Sequence, residues 1–248
     1  MGLGNRVYGL AGIALGAIGL VWGDFATVWH PVPPDLPYHA ALAYAAAALM
    51  VAGGAAMLLP AKRGIAGGAL VLASLYAAFA LLWAWRVVQF PGIFGTWLGF
   101  AEELALVIGG VVAAVETLPE TRPGRVQAGR LAFALCLLAF GAAHIVYVRE
   151  TAAMVPAYLP RQDVWAYATG VADLLAGLAL LSGIASLLAA RLVTLMFAGF
   201  GVLVWAPKLF AGPPDHIAWA GTAITFALAG AAWLLADSIA RCRRASEE

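Results

Sequence analysis

Four ionisable side chains stand where an apolar chain leaves little room for charge. Asp173 interrupts "VWAYATGVADLL", Glu102 and Glu103 interrupt "FGTWLGFAEELALVIGG", and His144 sits in "LLAFGAAHIVYVR". A charge at the centre of a bilayer costs about 2.5–3.5 kcal/mol even on the lenient insertion scale, so such groups must be paired, protonated or open to a wet cavity. A carboxyl and an imidazole together are the groups from which proton transfer is built. A helix starting near Gln162 carries Asp173 roughly 16 Å inward, Glu102 and Glu103 reach a similar depth from Ile93, and His144 lies roughly 7 Å in from Arg149. Asp173 is expected to bond toward His144, directly or through water, with a tilted or re-entrant "AAMVPAYLP" segment closing the difference in depth. Glu102 and Glu103 are about 100° apart on a helix, so only one of them faces a given direction well.

Other polar groups are read as their support. Arg86 is expected to partner Glu102 or Glu103, and Lys208 to meet Asp215 or Asp173, with interfacial snorkelling as the plainer role for both cations. Trp165, Tyr167 and Trp205, with Lys208, are the candidates to line an aromatic pocket beside His144. His30, His39 and His216 read as solvated loop histidines, and Asp24 as a cap or loop contact. No three-ligand metal spacing is present, and a His–Asp pair alone argues weakly for a metal. No nucleophile elbow, P-loop, dinucleotide fingerprint or haem-attachment motif occurs.

The composition says what must hold these groups. The chain has 248 residues, 64% hydrophobic and 11% charged, with a mean hydropathy of +0.91. A soluble domain carries about 25% charged residues, so lipid is the solvent for much of this surface. The net charge of +1 points to no polyanionic partner and no nucleic acid. Cys136 and Cys242 are far apart and lack CxxC spacing, so no disulfide is expected.

A span needs about 20 apolar residues. Eight such segments are predicted, at roughly 6–26, 39–60, 64–90, 93–115, 129–149, 163–183, 185–207 and 217–237, separated by breaks such as "HPVPPDLP", "PAKRG", "ETLPETRPGR" and "AGPPD". The fold class is therefore all-α, a polytopic membrane protein. Arg6, Lys62, Arg63, Arg122, Arg125, Arg130, Arg191, Arg241, Arg243 and Arg244 fall on one side of these spans; Arg86, Arg149, Arg161 and Lys208 fall on the other. The positive-inside rule then puts both termini in the cytoplasm of a bacterial inner membrane. The histidines and every tryptophan except Trp233 gather toward the opposite, outer face, which marks it as the working half.

The chain is also written twice. Sliding it along itself lays Val32-Pro33 on Val155-Pro156, Leu36-Pro37 on Leu159-Pro160, and Ala43-Tyr44 on Ala166-Tyr167. Trp83-Ala84 meets Trp205-Ala206, Arg86 meets Lys208, Trp97 meets Trp219 and Gly99 meets Gly221. Each unit has an even number of spans, so the two four-helix repeats are parallel. They are assigned to residues 1–118 and 129–248, with a cytoplasmic linker at 119–128 and a short basic tail. Gly12-x-x-x-Gly16 reads as ordinary close helix packing.

The stretch from Phe140 to Leu181 resembles the DoxX-like membrane proteins. The positions that carry the likeness are Gly141 and His144; Met154, Val155, Pro156, Leu159 and Pro160; and Tyr167, Gly170 and Asp173. The likeness covers roughly residues 130–236. Asp173 stands where that family usually has Glu. The first repeat keeps the proline turn and Tyr44 but has Met50 at the acid position and no counterpart of His144, so it reads as a degenerate copy. The resemblance implies membrane location and a four-helix unit, and it points to association with quinone oxidoreduction.

Three functional expectations follow. The first is a quinone-associated redox subunit, with His144 and Asp173 handling protons, a membrane quinone as ligand, no cofactor in the chain itself, and electrons carried by a redox partner subunit. The second is a non-enzymatic scaffold or assembly subunit of a larger membrane complex. The third is a small-solute transporter, for which broken helices at matching positions of the two repeats are expected.

Overall fold

The computed structural model describes residues 2–26, 28–118 and 123–247. They form α1 (Leu3–Trp22), α2 (His39–Leu58), α3 (Lys62–Gln89), α4 (Phe94–Val115), α5 (Pro123–Val146), the short α6 (Val148–Met154), α7 (Gln162–Ser182), α8 (Ser186–Phe200) and α9 (His216–Glu247). Eight of these, counting α8 together with its continuation to Phe210, are long and apolar enough to cross a membrane. Among the described residues there is no strand. The chain is an all-helical, multi-pass membrane protein.

The two repeats are visible as matched local structure. In each, a proline carbonyl accepts the N–H of the leucine three residues on: Leu36 N–H to Pro33 O at 3.2 Å, and Leu159 N–H to Pro156 O at 2.9 Å. In each, the next helix is preceded by a non-glycine residue in the left-handed region, Tyr38 at φ 62° and Arg161 at φ 53°. Such strain costs about 1–3 kcal/mol and persists only where the surroundings impose it. Further along, Arg86 lies over the Trp83 ring at 5.4 Å and Lys208 over the Trp205 ring at 4.3 Å. A Cβ on Gly99 would meet the Trp83 ring, and one on Gly221 the Trp205 ring. The sequence matches are therefore the residues that make equivalent contacts.

Helix packing follows the same symmetry. Within the first repeat α1 packs on α2, α2 on α3 and α3 on α4; within the second α5 packs on α7, α7 on α8 and α8 on α9. Between them α1 lies on α9 and α4 on α5, which are equivalent contacts, while α4 against α9 lies at the pseudo-two-fold axis. Small residues permit the close approach: a Cβ on Gly16 would fall 2.5 Å from the Ala47 carbonyl oxygen.

Several boundaries differ from the sequence expectation. The first helix stops at Trp22, because Gly23 adopts φ 64° and caps it through an N–H bond to Gly19 O. Of the expected linker, residues 119–122, including Arg122, lie outside the described residues. Residues 123–128 belong to α5, which Pro123 can open because its missing N–H has no helical partner at that position. The fifth span ends at Val146 and the chain resumes as α6. The last helix runs to Glu247, well past the predicted 237, where Arg241 pairs with Glu116 and Arg243 donates to Ser186 Oγ at 3.0 Å.

The seventh span changes most. After Phe200 the chain passes into a π-helical segment, Gly201–Trp205, then a 3₁₀ segment, Ala206–Phe210. Pro207 accounts for it: proline has no N–H for the carbonyl four residues back, and its ring would clash with that carbonyl. The Ala206 N–H turns instead to Gly201 O. The equivalent stretch of α3, through Trp83 and Arg86, stays α-helical, so the repeats have no matching break.

Candidate functional site

A cavity of about 560 Å³ opens between the repeats at the end of the bundle that holds the 23–38 and 155–161 loops. Its walls are chiefly apolar and aromatic: Phe140 from α5, Met196, Phe197 and Phe200 from α8, Trp205 from the π segment, and Ile224 and Leu228 from α9. The α5–α7 connection covers it with Met154, Val155, Pro156 and Leu159. Gln162 holds that cover by donating from Nε2 to Val155 O at 3.0 Å, and the Trp165 indole donates to Pro160 O at 3.1 Å. The first repeat contributes Trp29, Leu98 and Glu102.

The polar residues that line this chiefly apolar chamber are His144, Tyr147, Glu150, Thr151, Thr169, Asp173, Glu102 and Thr225. Asp173 is 1% exposed, and neither carboxyl oxygen has a hydrogen-bond partner among the described residues. His144 does not bond to it. Its Nδ1 lies 2.9 Å from Thr169 Oγ1, one helical turn before Asp173. The Thr169 hydroxyl has a single proton, which it directs to the carbonyls of Trp165 at 2.9 Å and Ala166 at 3.2 Å. His144 must therefore donate from Nδ1, and the neutral ring presents Nε2 as an acceptor. The pair is a shared lining of one cavity rather than a direct contact. Gly141 and Gly170 bring α5 and α7 together here, since a Cβ on Gly141 would sit 2.6 Å from Gly170 O and one on Gly170 would meet His144 Cβ at 2.8 Å.

The other expected site residues divide. Trp165 and Trp205 line the cavity, and so does Glu102. Glu103 does not; it is turned toward Tyr8, Tyr76 and His30, as the 100° step between neighbours requires. Tyr167 is 48% exposed and on the wrong side of α7. The lining positions 165, 169 and 173 follow the four-residue helical stripe, which excludes 167. Lys208 stacks on Trp205 outside the cavity, and Arg86 stacks on Trp83 instead of pairing with a glutamate. Asp215 caps α9, accepting the N–H groups of Ile217 at 3.1 Å and Ala218 at 3.2 Å.

The expectation of solvated loop histidines fails most clearly at His30. It is 4% exposed, stacked on Phe79 at 3.8 Å, with Nε2 3.9 Å from Glu103 Oε1. Burial, with His216 nearby, pulls its pKa from 6.5 down to about 3. His39 clamps the loop, with Nε2 2.8 Å from Asp24 Oδ1 and Nδ1 2.9 Å from Pro33 O. His216 stacks on Trp22 at 5.0 Å.

In the first repeat the loop at the matching place is packed inward. Met50 stands at the Asp173 position, and Phe25, Ala26, Trp29 and His30 of the 23–38 loop are buried. A void of about 20 Å³ lies beside Phe25, Ala26 and His30. Trp29, Tyr147, Glu150, Thr151, Thr169 and Thr225 are among the lining residues that sequence reasoning missed. Thr169 was signalled by its four-residue spacing from Trp165 and Asp173; Trp29, far away in the chain, had no such signal.

Residues 131–236 match the model of a domain of unknown function (DUF8561). That stretch is the second repeat, with most of the cavity lining. No curated protein and no solved structure matches the chain.

Proposed function

We propose that this protein is a DoxX-like, quinone-associated subunit of a bacterial inner membrane, with both termini cytoplasmic, and that it holds the ring of a membrane quinone in the cavity between its repeats. The observation that carries the reading is a buried carboxyl, Asp173, without a hydrogen-bond partner among the described residues, lining a chiefly apolar chamber that His144 lines too. The volume of about 560 Å³ falls within the range of small-molecule sites, which are mostly apolar with a few polar groups fixing orientation. A flat ring with two oxygens fits that description. Phe197, Phe200 and Trp205 offer faces to the ring, and Asp173 and His144 offer a donor and an acceptor to its oxygens.

Quinone chemistry exchanges electrons and protons, and the residues here address the protons. Asp173 in its acid form donates a hydrogen bond to a ring oxygen and can pass it a proton. His144, held by Thr169, takes or returns a proton at Nε2. The electrons come from a redox partner subunit.

The test is thermal unfolding of the purified protein in detergent with a short-chain benzoquinone or naphthoquinone. At a quinone concentration 100-fold above Kd the stabilisation should be about 2.7 kcal/mol. Asp173→Leu, which removes the donor, should weaken binding by roughly 0.5–1.5 kcal/mol, the worth of a hydrogen bond between uncharged groups. A melting curve indifferent to every quinone tried sinks the reading. If the same protein then co-purifies with a membrane complex at fixed stoichiometry, the scaffold role takes its place.

A further inference from the structure

Behind the cavity wall lies a second set of polar groups that quinone binding does not use. Glu103 is 0% exposed, and both of its carboxyl oxygens lack a partner among the described residues. His30 Nε2 stands 3.9 Å from Oε1, beyond hydrogen-bond reach. The Tyr76 hydroxyl is buried and equally unpartnered. Tyr8, whose hydroxyl donates to Leu106 O at 2.6 Å, meets Tyr76 edge-on at 6.2 Å. These groups come from α1, α3, α4 and the 23–38 loop, so the fold has assembled them.

Their protons can be placed. His30 Nδ1 accepts the Ala26 N–H at 3.4 Å, so the neutral ring carries its proton on Nε2, the atom nearest Glu103. The cluster thus holds two donors, His30 Nε2–H and Tyr76 O–H, facing a carboxyl, with no bond among them. An ionised carboxylate cannot be left so, and buried polar groups without partners are rare in native folds. A separation of 3.9 Å is one that a single water can bridge. His30 also lines the void of about 20 Å³, large enough for one water, together with Asp24 and His216. Asp24 is partly exposed. His30 thus borders the void and, at 3.9 Å, Glu103 as well. The same two backbone segments also face the cavity: Trp29 and Glu102 line it, and their chain neighbours His30 and Glu103 form the cluster.

We propose that Glu103 and His30 form a buried proton-exchange site, reached from the loop surface past Asp24 and His216 and coupled to the cavity through Glu102 and Trp29. The exchange is a proton transfer alone: a proton arriving from the surface through Asp24 or His216 and a water in the void is taken up at His30 Nδ1, which releases the Ala26 N–H, as Nε2 passes its own proton to the bridging water and on to the Glu103 carboxylate, and the reverse sequence returns it to the surface. The coupling clause rests on the quinone reading; the site itself does not.

The experiment is infrared difference spectroscopy of the whole protein in lipid nanodiscs on transfer to heavy water. A carbonyl-stretch band of a protonated carboxyl is expected, downshifting as deuterium enters and missing from Glu103→Gln. His30→Phe should slow the downshift by about 100-fold, the lower end of what a positioned acid–base group contributes to proton transfer. His30→Gln, which keeps a donor, should retain the band if the phenylalanine variant fails to fold. Absence of any band assignable to Glu103, or exchange at the native rate in a folded His30→Phe, overturns the site. A short-chain benzoquinone that raises the melting temperature but leaves the band unmoved overturns the coupling. If no quinone alters stability yet His30-dependent exchange remains, the quinone reading falls and the proton site stands.

Discussion

His144 and Asp173 meet the same cavity without meeting each other, and the difference lies in one hydroxyl. Thr169 Oγ1 accepts a hydrogen bond from His144 Nδ1–H and so leaves Nε2 as the acceptor of a ring that lines the chamber. The approach of α5 to α7 that makes this possible depends on a missing Cβ: Gly141→Ala would put a carbon 2.6 Å from a backbone oxygen that cannot retreat. A loss of about 1–3 kcal/mol in thermal unfolding is expected, the usual cost of overpacking. His30 sets a pH dependence of definite sign. Its ring is held neutral, with a pKa near 3 in place of 6.5, by burial and by His216, and it faces Glu103. The unfolded chain takes up a proton near pH 6.5 while the fold resists until near pH 3, so the stability from this residue is full above pH 6.5 and drains away as pH falls through that window. Melting temperatures measured from pH 7.5 to 4.5 should fall, and should fall less in His30→Phe.

At the scale of elements, α8 and its continuation do what α3 does not. The π and 3₁₀ segments before Phe210 carry Leu203, Val204 and Trp205 to the cavity. π segments inside helices occur frequently at functional sites, because the extra residue re-aims side chains at a cost in helix stability. Pro207→Ala restores the N–H and removes the ring clash. The helix should then run on in α register and gain up to about 3 kcal/mol, while Trp205 rotates off the cavity. The expected signature is a higher melting temperature with a smaller quinone-induced shift. A variant that gains both would show that the break has no part in binding.

The whole molecule is a symmetric frame with one occupied corner and one open corner. The first repeat folds its own loop, with Phe25, Ala26 and His30, into the region that the second repeat leaves hollow. The cavity still needs both, since Trp29, Leu98 and Glu102 belong to the first. Cutting the chain between Leu118 and Pro123 should therefore give halves that co-purify when expressed together, through α1 on α9 and α4 on α5. The rejoined halves should keep the quinone-induced shift, and the second half alone should lose it. Binding by the second half alone would place the site within one repeat.

Hydropathy sets the eight spans because a bilayer demands apolar length from each helix independently of the others, a requirement written locally. The repeat was legible for a related reason: Pro33 and Pro156, Trp83 and Trp205, Arg86 and Lys208 are kept as types because each makes the same local contact. Local chemistry also carried the acid on the sixth span, the cover residues Met154 to Leu159 and the adjacency of Glu102 and Glu103. Which of the two glutamates faces the cavity, that Thr169 stands between His144 and Asp173, and that Trp29 and His30 are buried came only with tertiary structure. Those facts depend on how helices far apart in the chain are rotated against one another, and on a loop filling the space its own repeat left. Neither is a property of any single stretch of residues.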